Sequence, residues 1–515
     1  MKRPHSIAEE RAARELSRNP QAPLVRLAER ASLIGFLLYA VFAPHSIAGA
    51  EISLAIVGAG WLLRLVLTRR TGIRRTPLDL PIWLFFGWTL LSSLLSEEPH
   101  ISLLKMQSVC VLFLFYLTQA IIKRHTAILV VAVMIASGVA GSLWSVLELL
   151  RGRGVSISQM SDDSPFRARP LAVGDAIWRI GGQRVDSVAE IDEEIRKSPA
   201  GTNLPVSFIS QGENGEWAGL LVTDELKARR SPSGIQSDGP TYRFRASGWT
   251  RHYETFSETL QILACLALGL ALANLRKDGP RWRTHLPIAA CALLVLGIAL
   301  TAMRTVLVAF SIGALVIAWR AARGRVRLLA AFAVALVLAA GALFVWRTRA
   351  NQALTLQDPS SALRLRVARA GLSRIMLHPL FGHGMDAVKK HWSEWGFPGT
   401  EMIHLHSTPL QIAFDRGLPA LLFWLWIMTV FWLMATRAEK RARDARDPNR
   451  RGILLGATGA LAGFFASSLV NYNFGDGEVA LVFWWLMGIV IVCSEQSGVS
   501  GERQVPAHGS TPGDP

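Results

Sequence analysis

Long apolar runs leave this chain few folding options. A bilayer-spanning helix needs about 20 predominantly apolar residues, because only a structure that satisfies its own backbone hydrogen bonds survives in hydrocarbon. The sequence offers about twelve such segments, at 31–45, 50–68, 79–96, 101–122, 126–149, 256–275, 285–302, 304–320, 327–346, 409–436, 453–471 and 478–493. Hydrophobic residues make up 51% of the 515, and they cluster into these runs rather than spreading along the chain. The expectation is an all-α polytopic membrane protein of about 12 transmembrane helices. Residues 1–30 are too charged for a cleavable signal peptide.

The net charge of +17 is a topology signal rather than a nucleic-acid footprint. Basic residues gather in alternate short connectors: 69–75, 123–125, 276–283, 320–327 and 436–451. Short Lys/Arg-rich loops stay in the cytoplasm, and all five fall on one side if the N-terminus does too. Both termini are then cytoplasmic, with 1–30 an N-terminal segment and 494–515 a disordered tail. Helices 1–5 occupy 31–149, helices 6–9 occupy 256–346 and helices 10–12 occupy 409–493. Two long loops, 150–255 and 347–408, face outward. The four cysteines (Cys110, Cys265, Cys291, Cys493) lie within apolar segments without metal-ligand spacing and read as packing residues.

The first outer loop has room for a small domain. Ala176–Ile180 reads as a strand and Gly181-Gly182-Gln183 as a tight turn. Residues 187–198 read as an amphipathic helix with Ser187 as N-cap and Val188, Ile191 and Ile195 on one face. The segments 204–210 and 217–222 read as strands. Leu171, Gly174, Asp175, Ile177, Ile180, Gly182 and Val185 fall at the spacing of the bacterial PDZ core, and residues 158–225 resemble that family. The resemblance implies a small α+β insert and a possible peptide or protein partner, captured by β-augmentation. Arg169 and Pro170 depart from the small residue and glycine usual there.

The second outer loop carries more chemistry. Residues 360–376 read as a helix that brings in Arg364, Arg366 and Arg369, followed by Pro379 and a turn at Phe381–Gly384. Arg304 interrupts an apolar stretch of 34 residues (286–319). A guanidinium there costs roughly 2.5–3.5 kcal/mol on insertion scales, which marks it as a functional candidate. The bland alternative is that it snorkels at the outer turn of a hairpin. His406 sits at the threshold of the helix that starts near Pro409.

Residues 406–422, HSTPLQIAFDRGLPALL, resemble the signature segment of the O-antigen ligase and O-antigen polymerase superfamily. His406, Leu410, Gln411, Asp415, Gly417, Leu418 and Pro419 fall at its offsets. Arg364, Pro379, Gly382 and Gly384 resemble its arginine-helix and PLxGxG element, Arg304 its Ser-Arg element, and Arg245 with Gly248 a further Arg-x-x-Gly. Ser407 and Met303 depart from the usual Asn and Ser. The resemblance covers about 243–490 and implies metal-independent, cofactor-free glycosyl transfer at the periplasmic face of the bacterial inner membrane. The donor it implies is a glycan on undecaprenyl diphosphate. The acceptor is a sugar hydroxyl, on lipid A–core for a ligase or on a growing glycan for a polymerase.

The residue types suit that chemistry. A diphosphate leaving group needs fixed cations, and arginine stays protonated and forks onto phosphate oxygens. Imidazole is suited to take a proton from a sugar hydroxyl. His406 is thus the expected catalytic base, with Arg304, Arg364 and Arg245 binding the diphosphate. His404 is expected to face elsewhere, His383 to be a turn residue, Asp415 to orient its helix, and Lys105 to be a minor candidate for the cavity. Membrane lipids are the remaining partners, and nucleic acid is excluded. The rival readings are a polymerase, transfer of glycan to protein, and a membrane sensor whose PDZ-like loop captures peptides. A transporter is disfavoured by the lack of internal repeats.

Overall fold

A computed structural model describes residues 22–168, 171–210, 212–275, 281–322, 359–399 and 404–495. The apolar runs form helices. They are α1 Ala22–Phe42, α2 Ile47–Thr68, α3 Asp79–Leu94, α4 Pro99–Val109, α5 Phe113–Ile121 and α6 Arg124–Arg151. After the first long connector, which contains the short helices α7 Val188–Lys197 and α8 Asp224–Ala228, come α9 Tyr253–Ala273, α10 Trp282–Leu300 and α11 Arg304–Ala321. The remainder are α12 Pro359–Ile375, α13 Ala387–His391, α14 Thr408–Asp444, α15 Pro448–Ser468 and α16 Gly477–Ser494.

Among the described residues, eight helical segments are long and apolar enough to cross a membrane, and α3 is a shorter apolar helix. α4 and α5 count as one such segment, joined through a 3-10 turn at Cys110–Leu112. Helices α1 and α15 cover predicted spans but fall outside the eight; Arg26, Glu29 and Arg30 interrupt the first, and Arg450 and Arg451 open the second. The expected span 327–346 and the tail from 496 onward lie outside the described residues. Two boundaries move substantially: α1 already begins at Ala22, and α14 runs on to Asp444. Large exposed side chains such as Ile52, Val66, Leu104 and Leu422 ring the bundle, as a lipid-facing surface requires. Cys110 is exposed rather than packed, whereas Cys265, Cys291 and Cys493 are buried.

Among the described residues, basic side chains from three of these connectors meet at one end of the bundle. Arg124 pairs with Asp447 at 2.7 Å, and Arg320 and Arg451 both reach Glu439, at 3.0 and 3.1 Å. The sheet unit at the end of α6 and the residues before α14 lie at the opposite ends of those helices.

Helix α9 forms the centre, with Phe256, Leu260, Leu263 and Cys265 fully buried. Lipid tails are as apolar as leucine, so association here depends on close packing of small residues. Helix α15 supplies them in the series Gly452, Gly456, Gly459 and Gly463. A Cβ on Gly269 of α9 would lie 2.3 Å from Gly456 N, and one on Gly313 of α11 would lie 2.5 Å from Gly459 O. Backbone touches backbone along this seam.

Between α6 and α9 the chain folds into an antiparallel sheet. Strands β1 Val155–Ser156, β3 Ala176–Ile180, β5 Asn203–Ser210 and β6 Glu213–Leu221 lie in the order β1-β3-β5-β6. The short strand β4 Gln183–Arg184 also pairs with β3, while β2 Gln159–Met160 pairs with β7 Ile235–Gln236. Helix α7 packs Ile191 and Ile195 into the unit's own core against Ile177, Ile180 and Val206. The strand–turn–helix–strand–strand succession read at 176–221 is therefore present, and Ser187 accepts a hydrogen bond from Glu190 N at 3.3 Å. The unit is wider than 158–225, because Arg153 bridges to Thr241. It is tied to the bundle where Arg153 and Arg184 share Glu148 at the end of α6.

Helix α14 is broken near its start, where Gly417 has φ 80° and ψ 171°. Pro419 cannot donate to the ladder. The loop 378–384 takes over the freed groups. His383 N donates to Phe414 O at 2.8 Å, Gly384 N to Asp415 O at 2.9 Å, and Leu418 N to Pro379 O at 2.7 Å. Trp88 Nε1 donates to Arg416 O at 3.1 Å. A Cβ on Gly417 would stand 1.9 Å from Leu380 O. Gly417→Ala is therefore expected to destabilise the protein by about 1–3 kcal/mol or more through strained φ and backbone collision. The check is the thermal unfolding midpoint of the detergent-purified protein; an unchanged midpoint would refute the assignment.

Candidate active site

The helix ends opposite the basic connectors enclose a cleft of about 230 Å³. The N-terminal ends of α9 and α14, the loop after α15, α4 and α13 all contribute to its wall. His404, His406, Lys105, Asp386, Lys389, Glu254, Glu258, Asn471, Tyr472 and Asp476 line it.

His406 has φ 54°, an uncommon value for a side chain with a Cβ. The left-handed residue turns the chain back, so His404 does not face elsewhere as expected. The two rings lie 4.4 Å apart and line the same cleft. His406 N donates to His404 Nδ1 at 3.2 Å, which leaves the His404 proton on Nε2. Among the described residues neither ring nitrogen of His406 is hydrogen-bonded.

The matched motif residues hold this turn in place. Gln411 is buried; its Oε1 accepts from Leu405 N at 2.7 Å, and its Nε2 donates to Asp415 Oδ1 at 2.7 Å. The carboxylate can only accept, so Asp415 fixes which end of the amide faces Leu405. Asp415 therefore orients the turn, as expected. The first turn of α14 is also pinned from the side, with Thr408 N donating to Asn471 O at 3.1 Å and Thr408 Oγ1 to Asn473 Oδ1 at 3.0 Å.

Among the described residues, Arg364, on α12, is the charged neighbour that perturbs His406. Burial comes first and the Arg364 charge second in pushing the His406 pKa down to about 4. His404 is pushed down to about 3, by burial, then by His406 and Arg364. Both imidazoles are accordingly neutral near pH 7, and His406 presents a free lone pair.

Arg245 lies over the Tyr253 ring at 4.6 Å and shares Glu254 as an electrostatic neighbour with Arg364. Arg304 is exposed at the first position of α11. It is not a cleft-lining residue, but its neighbour Thr305 accepts from Asn471 Nδ2 at 3.3 Å. Asn471 Nδ2 also donates to Glu258 at 3.0 Å. Among the described residues no hydrogen bond or ion pair engages Arg304. The structure thus sets His406 in the cleft wall, with Arg364 near enough to lower its pKa, while Arg364, Arg245 and Arg304 stand beside rather than among the lining residues.

Several lining residues escaped the sequence reading. Glu254 and Glu258 stand one turn apart at the start of an apolar helix, and that spacing was the available signal. Glu258 is buried, and Ser467 Oγ also donates to it, at 2.9 Å. Lys105 does face the cleft, with its Nζ 3.5 Å from Asp386, which Lys389 also approaches at 2.8 Å. Arg416, buried beside Tyr472 at the helix break, leaves Nε and Nη1 without a described partner. His383 is no simple turn residue: it is fully buried between Trp395 and Phe414.

The family model described as O-Antigen ligase matches residues 289–425, a segment that includes Arg304, Arg364 and His406. No curated protein matches the chain. The match supports the O-antigen ligase superfamily, and with it a glycosyl-transfer enzyme of ligase or polymerase type. The apolar helices indicate a multi-pass membrane protein.

The depressed His406 pKa makes a direct prediction. In histidine-selective NMR, assigned with His406→Gln, the His406 ring should stay neutral from about pH 6 to 8 and titrate near pH 4. Arg364→Gln removes a positive neighbour and should raise that midpoint. A midpoint indifferent to Arg364 would separate the two residues.

Proposed function

We propose that the protein transfers a glycan from undecaprenyl diphosphate to a sugar hydroxyl, on lipid A–core, at the periplasmic face of the inner membrane. The observation that carries this reading is a neutral His406, its ring without a described hydrogen-bond partner, in a cleft with Arg364 as its charged neighbour, both residues lying within the matched segment. The basic connectors at the far end support a cytoplasmic side there and a periplasmic side at the cleft, with both termini cytoplasmic.

The acceptor hydroxyl attacks the anomeric carbon while its proton passes to His406. The bond from that carbon to the phosphate oxygen breaks, and undecaprenyl diphosphate leaves with the electron pair. A single displacement inverts the anomeric centre. Arg364, Arg304 and Arg245 hold the diphosphate as its charge develops. The diphosphate also offsets the charge conflict that would arise when His406 becomes an imidazolium beside Arg364. Glu254, Glu258 and Asn471 offer acceptors and donors for sugar hydroxyls.

The test is incubation of the purified protein with a lipid-diphosphate-linked glycan and lipid A–core, followed by release of undecaprenyl diphosphate. His406→Ala should lower kcat by about 100-fold or more. Arg364→Lys and Arg304→Lys should each cost about 100-fold, because a point charge cannot fork onto two oxygens. Wild-type rates in His406→Ala would remove the base assignment. Transfer only onto a growing glycan would make the protein a polymerase.

The insert, PDZ-like over 158–225, is read as an accessory to the transfer core, with a peptide groove and a purely structural role as its two alternatives. Its deletion should leave basal transfer within a few-fold of the intact protein in the same assay. Loss of all transfer would make the insert part of the catalytic unit.

A further inference from the structure

Glu97, His378 and His383 form a cluster outside the cleft and outside the transfer chemistry. Glu97 lies in the connector between α3 and α4, and the two histidines flank Pro379–Gly382 in the loop that supports the α14 break. Their ligating atoms all lie within 4.8 Å of one another. Glu97 Oε1 is 2.6 Å from His383 Nδ1 and 3.5 Å from His378 Nε2, and the imidazole centroids are 4.6 Å apart.

The protonation of His383 raises the question of what fills this cluster. His383 is fully buried, and its Nε2 is 3.1 Å from Arg374 O. A carbonyl can only accept, so Nε2 carries the hydrogen. In the neutral ring Nδ1 is then a bare lone pair, and it points at a carboxylate oxygen that is also an acceptor. Two acceptors at this distance need either a hydrogen between them, on the imidazole or on the carboxyl, or a bridging metal. A metal-bound histidine characteristically donates its other N–H to a carbonyl or carboxylate, and His383 already does so. The ring is fixed further by aromatic contacts with Phe414 and Trp395, and by the glycines on either side, Gly382 at φ 67° and Gly384 at φ 105°.

We propose that Glu97, His378 and His383 bind one divalent transition-metal ion of zinc-like chemistry, clamping the α3–α4 connector to the loop that carries the helix break. Two imidazole nitrogens and one carboxylate oxygen are a zinc ligand set, with a fourth position left for water. Donors of a tetrahedral zinc site stand about 3.3 Å apart, given bonds of about 2.0–2.1 Å. The Glu97–His378 pair already has this separation, and the Glu97–His383 pair reaches it by a movement of well under about 1 Å. Glu97 and His378 are both exposed enough to admit the ion and its water. None of the three lines the cleft, so the site stands apart from the proposed glycosyl transfer.

The experiment uses the full chain with a tag that contains no histidine. Protein stripped with a chelator and dialysed is titrated with zinc chloride, and bound metal is counted by elemental mass spectrometry after desalting. The expected result is about one zinc per wild-type chain, retained against a weak competing chelator, together with a raised thermal midpoint. His378→Ala and Glu97→Gln, which leave the buried His383 in place, should lose both the metal and the zinc-dependent rise in midpoint. Wild-type protein that retains no zinc would overturn the proposal. Undiminished zinc in both variants would overturn it equally.

Discussion

The architecture rests on a helix that is not allowed to continue. At Gly417 the backbone of α14 leaves the helical region, and Pro419 removes a donor two residues later. Irregular backbone at membrane depth survives only where protein satisfies its polar groups. Here the satisfaction is an exchange between two segments. Phe414 and Asp415 carbonyls accept from His383 and Gly384, and Leu418 donates to Pro379. Each sequence motif is the hydrogen-bond complement of the other, which is the physical reason that a Gly-Leu-Pro break and a Pro-Leu-Phe-Gly-His-Gly loop occur in one chain. The same exchange fixes the first turns of α14, and with them Gln411, Leu405 and the turn at His406.

A second constraint sets the depth of the cleft. The glycines of α15 allow its backbone to touch α9 and α11. That contact brings the end of α15 alongside Glu258, where Ser467 and Asn471 satisfy a carboxylate that would be very costly alone in an apolar interior. Asn471 also reaches Thr305 and its carbonyl accepts from Thr408. One loop thus ties together the starts of three helices and the residues beside Arg304 and His406.

Much of this was legible in order but not in space. The apolar runs marked most of the helices because hydrocarbon solvates no backbone, and the basic connectors alternated as a membrane topology demands. The strands and helix at 176–221 followed from their periodicity, since a half-buried sheet face and helix face repeat every two and 3.6 residues. His404 was misjudged because a left-handed residue at position 406 reverses the direction in which neighbouring side chains point. His383 was misjudged because a glycine-flanked histidine looks like a turn whether it is exposed or fully buried. Glu254 and Glu258 carried a usable signal as acids in an apolar helix, but the partners of Glu258 lie more than two hundred residues away in the chain.

The sequence by itself determined that the chain is a helical membrane protein, where most of its helices run, and which side chains had chemistry to offer, because these depend on local hydropathy and residue type. Only the tertiary structure decided that Arg364 comes near His406, that Glu258 is held by Asn471, and that Glu97 meets two histidines. Those relations depend on close backbone contact between distant helices and on the direction of the chain after a single positive φ, and neither is encoded in the residues nearest to the groups they bring together.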